Sequence, residues 1–222
     1  HDAPAWAHAS GWAQLSGARQ TVSCVLSCEN SARTLSKLLP ILSDTLTECG
    51  YPWELIVVDA GSIDGTDGLM QAWCDLPGFR FLPLGRPASL AAGFEAGILA
   101  ARGDAVVLLD PALRHSPELI PQMILQWESN APLVWAQSIG EPGRSTLKNW
   151  DETHMRQQLS RPDFVLPPQC MELGLLDRRY GVCAADRIAQ RHALGELVPA
   201  GLTARHVRHP IGDGPASHLR AV

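Results

Sequence analysis

Between residues 21 and 137, short apolar runs alternate with stretches in which apolar side chains return every three or four positions. The runs are TVSCVLSC (21–28), ELIVVD (54–59), FRFLPL (79–84), AVVLLD (105–110) and PLVWAQ (132–137). Several are continuously apolar, without alternation, which marks strands of a parallel sheet covered on both faces. Pro83 assigns the third run to an edge, because proline cannot donate to a ladder. Leu35, Leu38, Leu39, Leu42 and Leu46 predict one helix face, entered through Asn30 and Ser31 as caps and kinked or interrupted at Pro40. Further helices are predicted after GSIDGT, over ASLAAGFEAGILAAR (88–102) and over PELIPQMILQW (117–127).

Past residue 138 the pattern loosens. RSTLKNWDETHMRQQLSRPD (144–163) reads as an exposed helix with a charged face, 164–186 as irregular, and DRIAQRHALGEL (186–197) as another helix. The expectation is an α/β fold in one domain, 1–222, in which 20–137 wind a mostly parallel sheet and 138–222 pack against it. In such sheets ligands bind outside the carboxyl ends of the strands. Asp59 and Asp110 stand at two of those ends.

Composition changes this picture little. The chain has 222 residues, 45% of them hydrophobic and 18% charged, as soluble globular domains do. A net charge of -5 argues against non-specific nucleic-acid binding. Arginine outnumbers lysine 16 to 2, and guanidinium suits bidentate phosphate contacts. No apolar run approaches the roughly 18–20 residues that cross a bilayer. HDAPAWAHASGW, the first stretch, lacks the charged start and apolar centre of a signal peptide, so a cytoplasmic location is expected. The six cysteines form no CxxC pair and read as small buried hydrophobes in a reducing compartment. His206 and His209, in RHVRH, have no metal spacing. P-loop, GxGxxG and GxSxG motifs are missing, which removes the usual anchors of kinases, dehydrogenases and hydrolases.

The densest chemistry lies in VVDAGSIDGT (57–66). An aspartate at a strand end, then a Gly-Ser turn, brings a carboxylate and backbone N–H groups together at a helix start. Asp64 reads first as a cap of that helix and Asp59 as a ligand contact.

Taken together, TVSCVLSCEN, ELIVVDAGSIDGT, LGRPASLAAGFEAG and ARGDAVVLLDPALRHSPELI resemble the four successive blocks of family-2 glycosyltransferases, in order and spacing, over about residues 20–137. The branch they resemble most transfers sugars from nucleotide donors to polyprenyl or dolichyl phosphate. The resemblance implies a GT-A fold, a Rossmann-type mostly parallel sheet with helices on both faces. It also implies a GDP- or UDP-sugar donor, Mg²⁺ or Mn²⁺, and inversion at the anomeric carbon. Residues 20–137 would then be the donor half and 138–222 the acceptor side. Donor contacts would fall at Ser27, Glu29, Asp59, Arg86, Asp110 and Arg114, with Asp110 also the metal ligand. Arg156 and Ser160, four apart in RQQLS, match the spacing of a pair that holds the acceptor phosphate. Such an acceptor would bring the protein to the cytoplasmic face of a membrane.

The blocks also depart from the family. Of Pro-x-Tyr-Asn-Glu, only Asn30 remains in Ser27–Ser31. Asp-Asp-Gly-Ser has become Asp59, Ala60, Gly61 and Ser62. Asp-x-Asp-x-Gln has become Asp110, Pro111, Ala112, Leu113 and Arg114. Two carboxylates hold the cation that offsets charge on a departing diphosphate. Here Arg114 can take that role in place of the ion or weaken its need, by bidentate contact with the diphosphate. The later Arg-x-x-Gly-x-Ser-Lys segment is barely traceable in IGDGPASH (211–218). Asp151 and Glu152 are the acids nearest in position for a base, and an ionised acceptor phosphate needs none. Two readings therefore stand: a transferase acting on a nucleotide sugar, and a catalytically inactive relative that binds a nucleotide or a protein partner. A nucleotidyltransferase on a similar sheet lacks its phosphate loop here.

Overall fold

A run such as VSCVLSC is most stable as a strand where both its faces are covered, since Cys24 and Leu26 point to one face and Val25 to the other. The computed structural model describes residues 20–112, 115–139, 144–161, 166–181 and 184–185. Within it this run is β1 (Val22–Cys28), buried along its whole length. β2 (Trp53–Asp59) and β4 (Ala105–Leu109) are equally buried, whereas β3 (Phe79–Pro83) is half-buried and lies at the sheet edge. These four strands pair in parallel in the order β3-β2-β1-β4. The crossovers are α1 (Ala32–Glu48), α2 (Thr66–Cys74) and α3 (Leu90–Ala100).

Three more strands complete a seven-stranded sheet of order β3-β2-β1-β4-β7-β5-β6. They are β5 (Leu133–Ser138), β6 (Ser145–Trp150) and β7 (Leu173–Asp177). β7 runs antiparallel to both β4 and β5, and β6 antiparallel to β5. Five strands thus share one direction and two oppose it, a mixed sheet. Here the structure corrects the sequence reading twice. Residues 145–150, expected in a helix, form β6, because Thr146, Leu147 and Trp150 half-bury themselves along β5. Residues 173–177, expected irregular, form a fully buried strand. The helix of this region, α5 (Glu152–Leu159), begins only after Asp151, whose carboxylate accepts from the His154 amide at 2.7 Å. The helix expected over 186–197 lies outside the described residues.

The alternation of side chains divides the core into two layers. Cys24, Leu26, Leu55, Val57, Val107 and Leu109 face α1, α2 and α4 (Ile120–Glu128), meeting the five leucines of α1, Met70, Met123 and Trp127. Val25, Ile56, Val58, Val106 and Leu108 face α3 and α5, meeting Phe94, Ile98 and Met155. α1 runs through Pro40 without interruption, and that proline is exposed. Cys24, Cys28 and Cys170 are buried as expected, Cys49 partly so, and Cys74 is exposed at the end of α2.

On the α3 face two polar side chains sit low in the sheet. Glu54 Oε1 accepts from Ser23 Oγ and from the Arg102 amide, both at 2.6 Å, and Oε2 accepts from Arg80 Nη1 at 2.6 Å. Ser23 Oγ in turn accepts from the Gly103 amide at 2.8 Å. This network fastens the segment leaving α3 to the amino ends of β1 and β2. No helix among the described residues is long and apolar enough to cross a membrane.

Candidate active site

β1, β2 and β4 end side by side, and a cleft of about 330 Å³ opens outside their carboxyl ends. Ser27, Cys28 and Ala60 reach it from the strands, and Glu29, Ser31 and Thr34 from the turn into α1. Ala88 and Leu90 border it at the start of α3, and Asp110, Pro111 and Ala112 after β4. Three of the expected contacts, Ser27, Glu29 and Asp110, therefore converge here.

Hydrogen bonds between two loops hold the cleft's shape. Asp59, 5% exposed, is outside the lining: its carboxylate accepts from Ser62 N at 3.1 Å and from Ser62 Oγ. Ser62 Oγ accepts from the Asn30 amide at 2.7 Å, while Asn30 Oδ1 accepts from the Ile63 amide at 2.9 Å. Asn30 has φ 49, a left-handed conformation that asparagine tolerates better than most residues. Asp64 Oδ2 accepts from the Ala32 amide at 2.9 Å and Oδ1 from Thr66 Oγ1 at 2.6 Å. It thus joins the first turns of α1 and α2, and it serves α1 where Ser31 was expected to: Ser31 makes no side-chain cap bond. Burial, which alone would raise the Asp64 carboxyl, is outweighed by the hydrogen bonds from Thr66 and Ala32, so it lies below its ordinary value. Gly61 has φ +85, and a methyl there would stand 2.8 Å from the Arg86 carbonyl carbon. Only glycine lets the loop that carries Arg86 settle against the end of β2.

Arg86 itself is exposed and does not line the cleft. Arg114 lies outside the described residues, as do His206, His209 and 211–218. Asp110 Oδ1 accepts from the Ala112 amide at 2.9 Å, so the residue in place of a second carboxylate closes the loop through its backbone. The Asp110 amide donates to the Glu172 carbonyl at 3.1 Å, which extends the β4–β7 pairing to the cleft rim. Arg156 is turned to its own helix: Nε and Nη2 donate to Glu152 Oε1 at 3.0 and 2.9 Å, and the side chain is 73% exposed. Ser160 Oγ donates to the Arg156 carbonyl at 2.9 Å. Neither lines the cleft. Of the two acids considered for a base, Asp151 caps α5, and Glu152 accepts from Arg156 and Tyr180.

Sequence reasoning missed His115. It is 3% exposed, with Nδ1 2.7 Å from Ser145 Oγ and Nε2 3.2 Å from Glu172 Oε2. The loop after β4 is thereby fastened to the starts of β6 and β7. Nothing in the local sequence announces this, since both partners, Ser145 and Glu172, lie far along the chain from His115.

Ser27 is the cleft's anomaly. Its hydroxyl is buried, the residue being 1% exposed, and has no hydrogen-bond partner among the described residues. An unsatisfied buried hydroxyl costs about 1–3 kcal/mol. As for a cation, Asp110 offers a carboxylate on the cleft wall, and no group of three His, Cys, Asp or Glu is gathered among the described residues. Such a donor set fits an ion that takes one or two protein carboxylates and completes its shell with phosphate oxygens and water.

A doubly covered sheet whose polar cleft lies beyond the ends of its parallel strands defines a ligand-binding α/β protein. The sequence profile of Glycosyl transferase family 2 matches residues 23–196, and the chain belongs to that family. Its mixed sheet with helices on both faces is the arrangement that the GT-A resemblance implied. The chain is 26% identical over 160 residues to an uncharacterised glycosyltransferase of Synechocystis, covering 71% of this chain and 50% of that one. It is 33% identical over 109 residues to the undecaprenyl-phosphate 4-deoxy-4-formamido-L-arabinose transferase of Pseudomonas aeruginosa, covering 46% and 31%. The chain thus spans half or less of the length of these relatives. Among solved structures it resembles a mannosyltransferase of Pyrobaculum calidifontis in complex with GDP-Man and Mn²⁺. That likeness has 18% identity and TM-score 0.48, covering 73% of this chain and 46% of that one.

Proposed function

We propose that this chain is the donor-binding part of a glycosyltransferase that transfers a sugar from a nucleoside-diphosphate sugar to an acceptor, with a polyprenyl phosphate as the favoured acceptor class. The observation that carries the reading is the cleft at the ends of β1, β2 and β4 with Asp110 on its wall, in a chain of family 2. Ser27, Glu29, Asp110 and, beyond the described residues, Arg114 are the donor contacts. Arg86 and Asp59 act at one remove, Asp59 by holding the loop through Ser62. Asp110 would hold Mg²⁺ or Mn²⁺, which would supply positive charge against the leaving diphosphate. Arg156 and Ser160 receive the acceptor phosphate, for which Arg156 must leave Glu152. A lipid acceptor would place the protein at a membrane face.

Calorimetric titration with GDP, UDP and their sugar conjugates, with and without Mn²⁺, tests this. Binding that depends on the ion and is lost in Asp110→Asn is expected; absence of binding under every condition overturns it. The second reading, a nucleotide-binding protein without transfer, is favoured by the Ala112 amide that occupies Asp110 Oδ1. Donor hydrolysis separates the two, because a working transferase leaks sugar to water and an inactive one does not.

A further inference from the structure

Glu172 takes hold of both ends of the segment that leads away from β4. Its carbonyl accepts from the Asp110 amide at 3.1 Å, and its Oε2 lies 3.2 Å from His115 Nε2. The first contact continues a ladder: Leu109 pairs with Leu173, so one step further Asp110 stands opposite Glu172. The second joins side chains 57 residues apart, and local structure does not require it.

The His115 side chain is buried, and its other nitrogen, Nδ1, lies 2.7 Å from Ser145 Oγ at the start of β6. A neutral imidazole satisfies both neighbours when Nε2–H donates to the carboxylate and Nδ1 accepts from the serine hydroxyl. Both ring nitrogens are then engaged, and His115 does not line the cleft. Whatever it does for the cleft, it does through Glu172. Asp110, at the other end of the segment, is on the cleft wall. Its Oδ1 accepts from the Ala112 amide, which orients the carboxylate within its own turn. The turn itself is fastened to the sheet by the Asp110 amide on one side and by His115 on the other, and Glu172 is the anchor of both. Placement matters more here than where two acids share a cation. An ion held by one protein carboxylate, with phosphate and water completing its shell, depends on where that single group stands.

We infer that His115 is a positioning residue of the cleft. By holding Glu172 it fixes the segment that carries Asp110, and so sets the affinity for the divalent cation that accompanies a nucleoside diphosphate. The inference rests on the donor-binding reading above. It deepens that reading by tracing the cation's affinity to a buried bridge that touches neither ion nor nucleotide.

The test is two pairs of variants, read by the Mn²⁺ concentration that half-saturates calorimetric binding of GDP or UDP, and by thermal unfolding without metal. At 115, glutamine carries an amide N–H to the place of Nε2 and keeps the bond to Glu172, whereas asparagine reaches only as far as Nδ1 and loses it. At 172, glutamine keeps an acceptor for Nε2 and leucine does not, while the backbone carbonyl still receives the Asp110 amide in both. His115→Asn and Glu172→Leu are expected to raise the Mn²⁺ requirement about 10-fold or more, the usual effect of removing a group that orients a metal-binding side chain. His115→Gln and Glu172→Gln should stay close to the wild type. An unchanged requirement in His115→Asn and Glu172→Leu overturns this inference alone. So does a requirement that follows the fall in melting temperature across all four variants, whether or not the bond is kept, because packing then explains it. A wild type that binds neither nucleotide, with or without Mn²⁺, overturns the donor-binding reading and this inference with it.

Discussion

Replacing Glu54 by leucine strands three donors at once, and its consequence can be worked from the geometry. Ser23 Oγ and the Arg102 amide both lose Glu54 Oε1, at 2.6 Å each, and Arg80 Nη1 loses Oε2. A buried donor left without an acceptor costs about 1–3 kcal/mol. Arg80 is 34% exposed, still donates to the Ala100 carbonyl and can turn to water, so its share is discounted to at most about 1 kcal/mol. The expected loss is about 3–4 kcal/mol, within the range for breaking a buried ion pair from one side. Glu54→Gln keeps one carbonyl acceptor and should lose about 1–2 kcal/mol. A pH dependence accompanies this. Burial pushes the Glu54 carboxyl up, but hydrogen bonds from Ser23, Arg80 and Arg102 outweigh it and hold the group below its ordinary value. A carboxyl lowered in the folded state stabilises fully above its unfolded value and loses that stabilisation as pH falls through the folded one. Urea unfolding at about pH 7 and about pH 3.5 should show the gap between wild type and Glu54→Leu narrowing in acid. A loss under about 1 kcal/mol near neutrality, or a gap that does not narrow, would refute the reasoning.

Three further outcomes are expected. Gly61→Ala should destabilise by about 1–3 kcal/mol, because its φ of +85 and the 2.8 Å approach to Arg86 both oppose a methyl; denaturant midpoints measure it. Arg156→Ala should leave stability close to the wild type's, as its pair with Glu152 is exposed and screened by water, while slowing sugar transfer without slowing donor hydrolysis. Equal slowing of both reactions would remove Arg156 from the acceptor side. Burial pushes the Cys28 thiol up to about 12, with Asp59 and Asp64 adding to it, and burial pushes Cys24 up to about 12 as well. Both should resist alkylation in the native protein while exposed Cys74 reacts, and mass spectrometry of labelled peptides reads the difference.

Particular residues show what could be read in advance. The five leucines of α1 and the continuous runs of β1, β2 and β4 follow from local periodicity, and the edge position of β3 from Pro83. The place of Asp110 at the carboxyl end of β4, beside a cleft, follows from strand order and from the rule that parallel strands bind ligands at that end. The polar residues were harder to assign. Asp59, Ser62 and Asp64 crowd one short motif, and only the folded loops reveal that they bond to each other, to Asn30 and to α1. Arg156 and Ser160 have the spacing of a phosphate-binding pair and, in this structure, satisfy Glu152 and a backbone carbonyl instead.

The sequence by itself determined where strands and helices form up to β4, because an apolar period is a local property set by which faces must be covered. Tertiary structure alone decided that LGLLD inserts as β7 between β4 and β5, since a strand's partner is chosen by distant chain and not by its own residues. It decided likewise that His115 joins β6 and β7, and that Ser27 keeps an unpaired hydroxyl while Ser23, on the same strand face, does not. Whether a buried polar group is satisfied depends on what the fold brings within about 3 Å of it, and no spacing along the chain records that.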